Sequence, residues 1–250
     1  MNDHNLERYS RQLLVPGIDF EGQSALAAAH VCVVGCGGLG NPAALYLAAA
    51  GVGRLTLVDD DTVSLSNLPR QIAFREIDLG RYKVDVLAEE ILARNSEVNC
   101  ETVSQRLDSD NALHLFEGAS VVVDGTDNAQ TRQLIDVTTM RLGLPWVMGG
   151  AVQMSGINAI FDAQRDFGCL QCLQDTADAL GPEGDCARLG IIGSVVAAVA
   201  MTQVNQVIKL ITGTGSLPFG EIWLRDFRCD VEQRLTFSPR PNCPRCRGDQ

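Results

Sequence analysis

Along the first 150 positions, short apolar runs closed by glycines or acidic residues alternate with stretches of helical spacing. Val31–Val34 is the first such run and leads into Gly35-Cys36-Gly37-Gly38-Leu39-Gly40. The Ala-rich segment behind it predicts a helix to Ala50. Pro42 is tolerated in a first turn, and Gly51 marks the end. Leu55–Val58 is a second strand, ending in Asp59-Asp60-Asp61. Between residues 82 and 94, Val84, Leu87, Ala88, Ile91 and Leu92 fall on one stripe at the helical repeat. Val98–Val103 and Val121–Val123 read as further strands, Asn128–Leu142 as a helix stopped by Gly143, and Trp146–Met148 as another strand. This β-α-β-α order predicts an α/β fold with a Rossmann-like, doubly wound, mainly parallel sheet. Strands near 155–162, 221–226 and 232–237 have short connections, which predict an antiparallel C-terminal extension.

The most apolar stretch, Leu189–Ile211, is broken by Gly193, Ser194, Thr202, Gln203, Asn205, Gln206 and Lys209. A membrane span needs about 20 mostly apolar residues, so a buried core helix is the expectation, with no membrane partner. The start, Met1-Asn2-Asp3-His4-Asn5, is polar and carries no signal-peptide core, and a cytoplasmic location is expected. At 250 residues and 46% apolar, the chain can bury one large core. No repeat or linker divides it, which predicts a single domain over 1–250, with an N-terminal helical arm (1–30), a nucleotide-binding core (31–150) and a third part (151–250). A net charge of −11 without clustered Lys or Arg argues against nucleic acid and anionic membranes, because phosphate surfaces need concentrated positive charge.

Gly35, Gly37, Gly38 and Gly40 lie between a strand and a helix, where glycines let the backbone approach a phosphate at a helix N-terminus. Asp59, 24 residues after Gly35 at the end of the next strand, is placed to accept hydrogen bonds from a ribose. The pattern says nucleotide without saying which one. A nicotinamide dehydrogenase would share it, but would also need a proton donor near the ring, and His4, His30 and His114 lie outside every motif.

Four of the nine cysteines form two Cys-x-x-Cys pairs, Cys169/Cys172 and Cys243/Cys246. In a reducing compartment, paired spacings of this kind read as Zn²⁺ ligands before disulfides, and a site with four thiolates has no open position, so it is structural. Cys32, Cys36, Cys100 and Cys229 read as small apolar fillers.

Beyond the glycine turn come Asp59-x-Asp61-Thr62-Val63-x-x-Ser66-Asn67-Leu68-x-Arg70-Gln71, then Lys83, then Asp124-x-Thr126-Asp127-Asn128; Arg8-Tyr9-Ser10-Arg11-Gln12 precedes them all. With the cysteine pairs, these segments make the chain resemble the HesA/MoeB/ThiF adenylyltransferases over nearly its whole length. The resemblance implies ATP-dependent adenylation of the Gly-Gly carboxylate of a ubiquitin-like sulfur carrier of MoaD or ThiS type. In the terms it implies, Arg70 and Lys83 contact the ATP phosphates, and Asn67, with Ser66 and Asn128, helps to seat the nucleotide. Asp127 holds Mg²⁺ with Asp61 nearby, and Arg11 reaches the γ-phosphate side of the other subunit's site in a homodimer. Residues 151–250 then bear the carrier and the zinc. Cys186 matches a cysteine of the family's crossover segment that in some relatives bonds covalently to the carrier. Without a rhodanese-like domain, the sulfur donor is expected to be a separate protein.

The segment after Cys186 departs from the family pattern. Gly190 is followed by Ile191-Ile192-Gly193-Ser194-Val195, without the expected proline and glycines, and Gln206 replaces a commonly acidic residue. These changes leave the ATP motifs intact and bear on the partner. Adenylation of a different carboxylate, on a peptide C-terminus or a tRNA nucleoside, is therefore the second expectation.

Overall fold

The protein is described here by a computed structural model, in which residues 3–177 and 189–247 are described. Two helices, α1 (Asp3–Arg8) and α2 (Asp19–Ala28), precede β1 (His30–Val34), α3 (Gly40–Ala50), β2 (Arg54–Val58), α4 (Lys83–Arg94) and β3 (Asn99–Val103). Then follow α5 (Ala112–Phe116), β4 (Val121–Asp124), α6 (Ala129–Leu142), β5 (Pro145–Val152), β6 (Ser155–Asp162) and α7 (Leu170–Ala177). The described chain resumes with α8 (Gly193–Thr212), β7 (Glu221–Asp226) and β8 (Val231–Thr236).

One eight-stranded sheet runs in the order β3-β2-β1-β4-β5-β6-β7-β8. From β3 to β5 all pairs are parallel, and from β5 to β8 all are antiparallel, as the short connections predicted. Alternating strand residues feed two cores. Val31, Val33, Leu55, Leu57 and Val123 point toward α3, α4 and α8. Cys32, Val34, Val122, Trp146 and Met148 point toward α5, α6 and α7. Trp146 stacks on Phe161 of β6 with ring centroids 4.6 Å apart.

The helix ends follow their sequence signals. Gly51 and Gly143 adopt left-handed C-cap conformations, with φ of 94° and 65°, where a side chain would be strained. Asn128 caps α6 by accepting the Thr131 N–H at 2.8 Å. By length and composition α8 could cross a membrane. Its apolar face instead packs on α2, α3, β5 and β6, with Val199, Ala200 and Val207 fully buried, so its hydrophobicity serves the core. It begins at Gly193 rather than near 189, because Ile191 forms a parallel bridge with Gln153 at the tip of the β5–β6 hairpin.

Candidate active site

Strand order reverses between β1 and β4, and a cavity of about 530 Å³ opens at the C-terminal ends of these strands and of β2. Open α/β sheets bind ligands at such a switch point. The glycine turn forms its floor. Gly35, at φ 84°, donates its N–H to the Val58 carbonyl at 2.8 Å. A methyl group on Gly40 would lie 1.8 Å from the Gly35 carbonyl oxygen, and one on Gly125 would lie 2.5 Å from the same atom. Three backbone segments therefore meet where no side chain fits. Gly37 differs: a methyl there would meet only Gln71, at 3.7 Å, so the space above it belongs to the cavity.

Asp59 ties β2 to this turn. Its Oδ2 accepts the Cys36 N–H at 2.6 Å and its Oδ1 the Asp61 N–H at 2.8 Å. Burial pushes its carboxyl above the ordinary value, while Lys83 and the two N–H groups draw it back. Lys83 is buried at the start of α4, and its Nζ donates to Asp61 Oδ2 at 2.6 Å. Asp61 is exposed, so the pair joins a buried cation to a solvated anion. The chain between them makes a 3-10 turn at Leu65–Asn67, where Asn67 Oδ1 accepts the Ser64 N–H at 3.1 Å. Arg70 leaves this turn half-buried and donates to the Ser66 carbonyl at 2.8 Å. Asn67, Arg70 and Lys83 thus present amide, guanidinium and ammonium groups to one cavity.

Opposite stands the turn after β4. Asp124 is fully buried and bonded to Arg132, while Asp127 is exposed at the cavity and Asn128 lines it while capping α6. The carboxylates of Asp59, Asp60 and Asp61 lie within 4.8 Å of one another, as a cation would need, and Asp127 is not part of that group. The glycine cradle with its three cationic or amide donors fits a nucleoside triphosphate, and these acidic groups fit an accompanying Mg²⁺.

Cys169, Cys172, Cys243 and Cys246 converge as expected, with Sγ separations of 3.9 Å (169–172), 3.7 Å (169–243) and 3.6 Å (172–246). A tetrahedron with Zn–S bonds of about 2.3 Å has edges of about 3.8 Å, so the four thiols fit Zn²⁺. Burial pushes the Cys246 thiol up to about 12 and Cys169 higher still. Burial also raises Cys243, but hydrogen bonds from the Cys246 and Arg245 backbone and from neighbouring thiols outweigh it, giving about 6. Arg245, between the last two cysteines, donates to the buried Asp136 of α6 at 2.9 Å.

Of the residues singled out from the sequence, Gly35, Gly37, Gly38, Asp59, Asp61, Asn67, Arg70, Lys83, Asp127 and Asn128 line the cavity. Gly40 packs beneath it, and Ser66 contributes its carbonyl to Arg70. Arg11 is exposed and does not line the cavity, and Cys186 lies outside the described residues. Cys32 and Cys36 are core fillers and Cys100 packs against the core, but Cys229 is exposed in the β7–β8 turn, where no apolar space surrounds it. Sequence reasoning missed Gly125, Gln71 as a cavity-lining side chain, and Arg132. Gly125 carried a signal as a glycine following an apolar strand, and Gln71 as the last residue of the motif that begins at Asp59; Arg132 carried none.

A nucleotide cradle at the switch point, an arginine–lysine pair and a four-thiol clasp define the class: the chain belongs to the ThiF family, which it matches over residues 9–245. It is 38% identical over 248 residues to the sulfur carrier protein ThiS adenylyltransferase of Escherichia coli (strain K12), covering 99% of this chain and 98% of that protein. It is 34% identical over 248 residues to the molybdopterin-synthase adenylyltransferase of Salmonella typhimurium (strain LT2), covering 98% of each. Among solved structures, the microcin C7 biosynthetic enzyme MccB in complex with N-formylated MccA matches with a TM-score of 0.82 at 25% identity, over 97% of this chain and 76% of that one.

Proposed function

We propose that the protein uses ATP to adenylate the C-terminal carboxylate of a ubiquitin-like sulfur-carrier protein ending in Gly-Gly. The observation that carries this reading is the meeting of Arg70, Lys83 and Asn67 with the glycine turn in one cavity, in a chain similar over nearly its full length to two adenylyltransferases. The carrier's carboxylate oxygen attacks the α-phosphorus, forming a new P–O bond. The bond to the β-phosphate oxygen breaks, and pyrophosphate leaves with the electron pair. The nucleophile is already ionised at neutral pH, so no side chain need take a proton. The protein's contribution is charge and alignment. Arg70 and Lys83 offset charge on the phosphates, and the N–H groups of the glycine turn hold the chain of phosphates along the cavity floor. Asp127 would hold Mg²⁺ at the cavity, with the Asp59–Asp61 carboxylates as the other acidic group there, and the ion would supply further charge neutralisation.

The same reading includes a homodimer, in which Arg11 serves the partner's cavity. The exposed Leu14 (74%) and Phe20 (61%) in its segment, which a monomer gains nothing by exposing, support that assembly. It also includes a separate sulfur donor, Cys186 as the thiol for any covalent carrier step, a cytoplasmic setting, and the division of labour at 1–30, 31–150 and 151–250. A second reading, adenylation of another peptide's carboxylate, is supported by the likeness to MccB and by the altered segment at 190–198.

ATP–pyrophosphate exchange separates the two. With a carrier ending in Gly-Gly exchange is expected, and with that carrier shortened by one residue it is expected to vanish; exchange driven only by unrelated peptides would establish the second reading. Asp127→Ala is expected to abolish exchange with unchanged thermal unfolding, and undiminished exchange would remove the Mg²⁺ assignment.

A further inference from the structure

We propose that Arg132 is a positioning residue for adenylation, fixing the backbone that presents Asp127 while touching no substrate itself. The inference rests on the adenylation reading above. Arg132 lies five residues past Asp127, in the first turn of α6. Its Nε donates to Asp124 Oδ2 at 2.8 Å, and its Nη2 donates to the Thr126 carbonyl at 3.2 Å and the Gly149 carbonyl at 3.1 Å. The other oxygen of Asp124 accepts the Thr126 N–H at 2.9 Å and its hydroxyl at 2.6 Å. Thr126 is thus gripped on both sides, and the Thr126 carbonyl belongs to the peptide unit that carries Asp127.

The third contact extends the grip to the next strand. Gly149 lies in β5, one residue past the Asp124–Met148 pair and next to Gly150, which lines the cavity, so one guanidinium ties the turn after β4 to the neighbouring strand. From α8, Gln203 Nε2 bonds the Asp124 carbonyl at 2.8 Å and the Val147 carbonyl at 3.1 Å, bracing the same junction from below. A methyl on Gly149 would lie 2.6 Å from Gln203, so these groups fill the gap between the two strands.

Electrostatics separates Arg132 from the phosphate ligands. Its side chain is 10% exposed and that of Asp124 is not exposed at all, so its charge is neutralised within the protein. Arginine is required here for geometry, because a planar fork reaches three acceptors in fixed directions. A lysine is a point charge, which would keep Asp124 company and leave the two carbonyls unheld.

The test uses the full chain with a Gly-Gly carrier, measuring exchange while Mg²⁺ and ATP are titrated separately. Arg132→Lys is expected to fold, to keep its KM for ATP within about threefold, and to need about tenfold more Mg²⁺ both for half-maximal exchange and for half-saturation of the ATP-bound protein in titration calorimetry without carrier. Combined with Asp127→Asn, it should add nothing to the shift that Asp127→Asn causes alone. If the lysine variant does not fold, Arg132→Gln, which retains an amide donor, takes its place with the same expectation. Wild-type Mg²⁺ dependence in a folded variant, a shift independent of Asp127, or failure of both variants to fold would each overturn the inference. Absence of exchange by the wild-type protein would instead overturn the adenylation reading.

Discussion

At Gly40 a single methyl group has nowhere to go, because the Gly35 carbonyl oxygen stands 1.8 Å from where it would be. Gly40→Ala must push the glycine turn off α3, and a loss of several kcal/mol is expected in denaturant unfolding, as for other overpacked sites that cost about 1–3 kcal/mol or more. At Gly37 the nearest atom is 3.7 Å away, so Gly37→Ala is expected to leave stability within about 0.5 kcal/mol while weakening ATP binding, read by titration calorimetry. Equal effects at the two sites would contradict this division between packing and ligand space. The sequence motif names both glycines without saying which does what. That distinction lies in distances to Gly125 and Gln71, which are distant in sequence.

Helices and strands were largely legible because their signals are local: apolar spacing, Asn128 before α6, and Gly51 and Gly143 after their helices. Asn128→Ala removes the bond to the Thr131 N–H, and a loss of about 1 kcal/mol is expected. For a chain of this size, that corresponds to about 2–4 °C in Tm. The segment between β2 and α4 adds a pH-dependent anchor. Asp78 is buried, which alone would raise its carboxyl, but the Arg75 backbone N–H and the Arg75 and Arg81 side chains hold it below the ordinary value. An acid with a lowered folded value adds stability above its unfolded value of about 4 and loses it as pH falls through the folded one. Asp78→Asn should therefore flatten the acid limb of the stability–pH curve, and a parallel curve would rule Asp78 out as its source. The contacts of Arg132 and Gln203 were not legible. Gln203 reaches Asp124 across 79 residues, and each side chain alone looks like an ordinary helix residue.

For the molecule as a whole, the cysteine clasp joins α7 to the C-terminal segment, and Arg245 fastens that segment to α6. One zinc per chain is expected by elemental analysis, and Cys169→Ser should lower both zinc content and Tm. Because zinc must displace protons from Cys246, at about 12, and from Cys169, its apparent affinity should fall as pH falls, measured by competition with a chromogenic chelator. The chain also carries a net charge of −11, and Lys83 already has Asp61 as its counter-ion. An approaching nucleotide anion therefore meets long-range repulsion and must take Lys83 from its resident carboxylate. Moving from about 0.01 to 0.1 M salt shortens the reach of that repulsion from about 30 to 10 Å. Nucleotide capture in stopped flow should then run faster in brine than in dilute buffer, the reverse of the behaviour of a cationic trap.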